Sequence, residues 1–271
     1  MDRRLQPFKR QIRKRLYGRT KPGTLLKHQI PIRAEHWNVN EPGWVEIDQV
    51  PHSGNSGEGE FIYTLNLTDI FSGWVESYAV LGKGQQGIVA ALECLAGRLP
   101  FALRGIDSDN GSEFINAYLL AYCQQHHLHF TRGRPYHKDD NAHIEQKNWT
   151  HVRKLLGWQR YDSRAALQAM NELYANELRI MMNWFQPSVK LLNKERRGSR
   201  LIRHYSAAAT PLDRLPKSKA IQVLKDLRQQ IDPFELSQVI DAKLETIWEL
   251  ANDRHSPKPI RRKPSLGYLF K

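Results

Sequence analysis

Between residues 44 and 80 three apolar runs of strand length follow one another: Trp44 to Val50, Phe61 to Thr68 and Trp74 to Val80. Each is rich in β-branched and aromatic residues, and they are separated by PHSGNSGEG and by Asp69-Ile70-Phe71-Ser72-Gly73, segments with the composition of turns. The spacing predicts three consecutive antiparallel strands. Gln85 to Leu95 then takes helical spacing, Ala102 to Ile106 reads as a short strand, Glu113 to His126 as a helix and Leu128 to Thr131 as another short strand. A longer helix begins near Asp140 and runs to Leu156. Three strands followed by alternating helices and strands predict an α/β fold, a mixed sheet with helices on its faces.

Downstream, Ser163 to Met182 has helical spacing, and Asn183 to Pro216 reads as irregular and strongly basic around KERRGSR. Two further helices follow, the second opened by Asp232-Pro233-Phe234-Glu235, where Asp232 can cap and Pro233 suits the first helical position. The end, SPKPIRRKP, has the composition of a disordered tail. The expected division is a basic arm over 1–40, a core over 41–160, a basic helical and irregular extension over 161–215, and C-terminal helices with a tail over 216–271.

Composition narrows the class. The 271 residues carry 41 Lys and Arg against 28 Asp and Glu, a formal charge of +13. With a mean hydropathy of −0.61 and no apolar run near the roughly 20 residues that span a bilayer, a membrane protein is excluded. The basic N-terminus has no apolar stretch behind it, so it does not read as a secretory signal. Cys94 and Cys123 are too few for a disulfide scaffold or a four-ligand zinc site, and a reducing cytoplasm is expected. Charge is unevenly spread: residues 1–40 hold 11 basic and 2 acidic side chains, 41–150 hold 7 and 14, and 151–271 hold 23 and 12. An acidic middle between basic flanks suggests gathered carboxylates in a protein that holds a polyanion.

Three of those carboxylates stand out. Asp48 lies inside the first strand in WVEIDQV, where an acid is costly unless something binds it. Asp109 ends the fourth strand in GIDSDNGSEF, and Glu145 lies on the helix of DNAHIEQKNW with thirty-five residues between them. Carboxylates about 4 Å apart repel by roughly 4 kcal/mol at an effective dielectric near 20, so three together call for cations. All-oxygen ligands select Mg2+ or Mn2+, and two such ions serve phosphoryl transfer. Asp107, two residues before Asp109, is the rival ligand. Asp139 and Asp140 read as caps of the Glu145 helix, and Glu113 as an acid placed in a first helical turn.

At these words the chain resembles the DDE transposases and integrases of the retroviral-integrase superfamily, most closely the insertion-sequence transposases of bacteria. The resemblance covers residues 20–215 and is carried by TKPG from Thr20, GWVEIDQV around Asp48, TDIFSGWVE from Thr68, SDNGSEF around Asp109 and DNAHIEQKN around Glu145. It implies an RNase H-like fold, two magnesium ions held by Asp48, Asp109 and Glu145, and transfer of a DNA 3′ hydroxyl onto a target phosphodiester. It also implies a homo-oligomer acting on element ends and target duplex, nucleoid-associated in the bacterial cytoplasm. Transposases of this kind carry helix-turn-helix modules ahead of the core, whereas only the forty-residue arm stands here, so a separate reading subunit or module is expected.

Basic residues supply the expected DNA contacts: Arg132, Arg134 and Lys138 ahead of Glu145, Lys147 and Arg153 on its helix, and Arg196 and Arg197 in KERRGSR. Trp149 either stacks on the bound strand or packs against the C-terminal helices. Two other readings keep the same residues: an RNase H-like nuclease, and a truncated or non-catalytic DNA-binding fragment.

Overall fold

The computed structural model describes residues 24–33, 39–134 and 142–251. The first part of the arm, Lys138, Asp139, Asp140 and the basic Pro-rich tail lie outside the described residues.

The three predicted strands form a meander, β1 (Trp44–Pro51), β2 (Ile62–Asp69) and β3 (Val75–Leu81), each antiparallel to the one before. Their register aligns Asp48 with Asn66 and Asn66 with Ser77. β4 (Gly105–Ser108) pairs parallel to β1, and β5 (His129–Arg132) parallel to β4, giving a five-stranded sheet of order β3-β2-β1-β4-β5. This is the mixed sheet that the order of elements implied, and the RNase H-like fold that the resemblance implied. β4 begins three residues later than its apolar pattern suggests. At Gly105 a side chain would come within 2.5 Å of the Trp44 ring, so the strand can pair with β1 only from a residue without a Cβ.

Every residue of β2 is buried, because helices cover both faces. On one face, Val45, Ile47, Leu65, Leu67 and Ile106 pack with α2 (Gln85–Ala96) and α3 (Ala117–Gln125), together with Ile30, which follows the short helix α1 (Thr24–Gln29). On the other, Val50, Ile62 and Ala79 meet α4 (142–156), α5 (Arg164–Ala175), α6 (177–185) and α9 (Pro233–Glu249). The segments beyond residue 160 therefore close the second face of the sheet. The helix α4 spans 142–156 and is π-helical over Asn148–Arg153, a widened turn of the kind that concentrates at functional sites. A smaller cluster of Trp74, Trp184, Leu212, Leu215 and Ile221 seats α7 (Pro211–Arg214) and α8 (Lys219–Gln229).

The basic stretch expected to be irregular instead contains an antiparallel ribbon, β6 (Leu191–Arg197) and β7 (Arg200–Tyr205), turned at Gly198 with φ 63°. Charged and polar residues crowd both strands, LLNKERR and RLIRHY, and hide a strand pair that the glycine turn completes. Among the described residues no helix is long and apolar enough to cross a membrane.

Candidate active site

Alternation along β1 sorts its side chains: Val45 and Ile47 enter the first core, while Glu46 and Asp48 face the side that α4 covers. Asp48 is half-buried. Its Oδ1 accepts the backbone N–H of Gln49 at 2.7 Å and its Oδ2 accepts Asn148 Nδ2 at 2.6 Å. Asn148 Oδ1 in turn accepts Asn66 Nδ2 at 2.6 Å, and Asn66 Oδ1 accepts Ser77 Oγ at 2.6 Å. One directional chain of donors thus runs from β3 through β2 and α4 to the carboxylate on β1. Sequence reasoning missed Asn148 as a functional residue. Its signal was the last letter of DNAHIEQKN, three residues after Glu145 and one turn after Ile144, on the face that α4 turns to the sheet.

Asp109 immediately follows β4, on the strand next to Asp48, and its Oδ1 accepts the N–H of Gly111 at 2.8 Å. The chain then turns back through Glu113. A Cβ at Gly111 would stand 2.7 Å from the Glu113 carboxyl carbon and 2.9 Å from Asp109 Oδ1, so the glycine leaves room for the two acids beside it. Glu113 is not in a helical turn as expected: Asn116 accepts Leu119 N–H and caps α3, which starts four residues later. Burial, then the charge of Asp109, with that of Glu113 in addition, push the Asp48 carboxyl up to about 7 against the two donors that hold it down. Burial also raises Asp109, with Glu113 adding to it and Lys83 and the Gly111 N–H opposing.

Glu145 lies exposed on α4, one turn before Asn148; the charges that press on Asp48 are those of Asp109 and Glu113. Among the described residues, no group of three or more His, Cys, Asp and Glu side chains gathers closely enough to hold a metal ion. The structure brings Asp48 and Asp109 together and does not converge Glu145 on them. The rival Asp107 is engaged elsewhere. Fully buried and in register with Glu46, it accepts Thr131 Oγ1 and lies 3.4 Å from Arg33 Nη1.

Residues 39–138 match the family model described as the integrase core domain. The match spans the segment that carries the five-stranded sheet, from ahead of β1 to past β5. The chain is also 38% identical over 215 residues to the uncharacterised protein y4rM of Sinorhizobium fredii (strain NBRC 101917 / NGR234), across 79% of this chain and 61% of that protein, so it spans less than two thirds of that relative's length. Similar solved structures include the catalytic core domain of BIV integrase, at 16% identity over 70% of this chain and 99% of that one, with a TM-score of 0.41. The HTLV-2 integrase catalytic core, solved in complex with magnesium in a dimeric form, matches at 16% identity over 55% and 92%, also with a TM-score of 0.41.

The matched segment contains Asp48, Asp109 and Glu113 and ends at Lys138, before Glu145 and Asn148. Asp48 and Asp109 offer carboxylate oxygens, and the charge of Asp109 raises the cost of ionising Asp48. That is a donor set suited to a hard divalent cation, which would relieve the repulsion.

The expected DNA contacts divide. Arg132 is used internally, its Nε donating to Ile30 O at 3.1 Å and its Nη1 to Asn110 Oδ1 at 2.8 Å. Arg134 is half-buried, as is Lys147, whose ammonium burial and Arg214 hold down to about 8. Arg153 donates to Gly157 O and stacks 4.1 Å above the ring of Trp158, itself exposed. Trp149 is 55% exposed and does not pack among the C-terminal helices. Arg196 is exposed on β6, Arg197 is on the same strand, and Lys138 lies outside the described residues.

Proposed function

We propose that this chain is the catalytic core of a transposase that cuts and joins DNA with divalent metal. The observation that carries the reading is the placement of Asp48 on β1 and of Asp109 just past the adjacent parallel strand β4, close enough for the charge of Asp109 to raise Asp48, with N–H donors on both carboxylates and the charge of Lys83 favouring ionised Asp109. Asp48 and Asp109 would hold the metal, Mg2+ or Mn2+, with Glu145 as the third ligand of a two-ion site. When bound, such ions supply Lewis acidity at the scissile phosphate and favour the ionised form of the attacking hydroxyl. The residues of the chain orient the reaction: Asn148 fixes one oxygen of Asp48, the Gly111 N–H fixes one of Asp109, and the exposed Trp149 and the basic ribbon offer stacking and phosphate contacts to the strands. The end-reading module, oligomer formation on DNA and a nucleoid setting belong to the same proposal.

The test is strand transfer of a pre-cut end in magnesium or manganese. Asp48→Asn and Asp109→Asn should each abolish joining while DNA binding stays near wild type, and Asp107→Asn should leave joining chemistry in place. Glu145→Gln should abolish it as well. Loss in Glu113→Gln together with full activity in Glu145→Gln would move the third ligand to Glu113. Joining by either aspartate variant would overturn the reading, and water as sole nucleophile would turn it into a nuclease.

A further inference from the structure

The segment ahead of β1 is stitched to the open edge of the sheet. Arg132 donates its backbone N–H to Pro31 O at 3.1 Å and accepts the N–H of Arg33 at 2.9 Å, so Ile32 pairs with it as a parallel strand would. The Arg132 side chain adds the bonds to Ile30 O and to Asn110, the neighbour of Asp109, and Ile30 is buried in the first core. This docking delivers Arg33 into the protein.

Its guanidinium, 5% exposed, places Nη1 3.4 Å from Glu46 Oε1 and 3.4 Å from Asp107 Oδ2, carboxylates that are 2% and 0% exposed. They are in register on β1 and β4, so without a cation between them two buried acids would face each other. The second oxygen of Glu46 accepts the backbone N–H of Ile144 at 3.1 Å. That N–H belongs to the first turn of α4, where no carbonyl within the helix can take it, and it directly precedes Glu145.

We propose that Arg33 is a positioning residue for the Glu145 helix: the segment 30–33 brings its guanidinium to the Glu46–Asp107 pair, and Glu46, held there, anchors the first turn of α4. Docking of a segment outside the family match is thereby coupled to the stance of α4 over Asp48 and Asp109. The importance of that stance for catalysis rests on the function proposed above; the coupling itself does not.

Hydrogen exchange on the full chain, with neither DNA nor metal, reads it directly. In Arg33→Gln, amides 144–148 should exchange about tenfold faster while those of β2 and β3 stay within about twofold of wild type, since sub-global opening can occur without global unfolding. Arg33→Lys, which keeps the charge, should recover part of the protection. Wild-type exchange over 144–148 in a folded Arg33→Gln overturns the proposal. An equal rise in β2 and β3 also overturns it, by reducing Arg33 to general stability. Should Arg33→Gln fail to fold, Glu46→Gln keeps the shape and removes the charge that Arg33 serves. Faster exchange confined to 144–148 then supports the coupling, and unchanged exchange there refutes it. Because no activity is read, a failure here leaves the strand-transfer reading standing, and a chain inactive in strand transfer can still pass.

Discussion

Replacing Asp48 with Asn removes a charge that the fold holds at a cost, so the variant should be more stable than the protein it came from, and only where that charge exists. The carboxyl is raised from 3.8 to about 7. Folded-state protonation is thus favoured, and stability is full below pH 3.8 and declines as pH rises through 7. Three units correspond to an upper bound of about 4 kcal/mol at pH 8. Against this, Asn offers one acceptor where Asp48 serves two donors, Gln49 N–H and Asn148 Nδ2, and losing one such bond costs about 1–2 kcal/mol. The net gain is about 2 kcal/mol at pH 8, or about 4–8 °C in Tm for a chain of this size. Thermal denaturation followed by circular dichroism at pH 8 and pH 5 measures it. The gain should appear at pH 8 and vanish at pH 5, where Asp48 is already protonated. Millimolar magnesium should raise the wild-type Tm at pH 8 and leave the variant nearly unmoved. A variant equally shifted at both pH values, or destabilised at pH 8, would refute the reasoning.

Other outcomes follow from the same geometry. Asn148→Ala strands the buried Asn66 amide and one oxygen of Asp48, so urea denaturation should show a loss of about 2–4 kcal/mol. Trp149→Ala should weaken DNA binding by about 1–3 kcal/mol with Tm essentially unchanged; a large fall in Tm would make it a packing residue instead. Arg196→Ala with Arg203→Ala should flatten the dependence of log K on log salt by about 0.9 for each duplex phosphate lost, and an unchanged slope would show that the ribbon does not touch DNA.

The strands and helices of the core were legible because their periods are clean. Apolar residues alternate along β1, and Ile144, His151, Val152, Leu155 and Leu156 mark one face of α4, all of them buried. What escaped depends on partners far away in sequence. Glu113 read as helical because nothing local reveals that Asn116, not an earlier residue, caps α3. The ribbon read as irregular because its charges interrupt the apolar pattern. Arg132 read as a DNA contact because a basic cluster looks the same whether its members reach outward or, as here, inward to Ile30 and Asn110. Arg33 lay in what read as a linker, and its two carboxylate partners stand 13 and 74 residues away.

Charge compensation separates the acids of this domain more clearly than position does. Glu46 and Asp48 are neighbours on one face of β1, and Asp107 and Asp109 are their counterparts at β4, so residue type and spacing cannot say which pair serves the fold. The inner pair shares a buried guanidinium and anchors backbone at Ile144. Burial still lifts the Glu46 carboxyl to about 7 against Arg33 and the Ile144 N–H, so what sets this pair apart is the guanidinium of the chain that already sits between its carboxylates. The outer pair is held by amide donors, with the charge of Lys83 also favouring ionised Asp109, and Glu113 raises the cost of ionising both. Such an arrangement is unfavourable for an isolated fold, and it persists most economically where a cation from solution completes it. The same comparison separates Asp107 from Asp109 by experiment. Asp107→Asn should loosen Arg33 and the seating of α4, and with it the Asn148 donor to Asp48, so stability falls and joining slows, while Asp48 and Asp109 keep their charge and joining is not abolished.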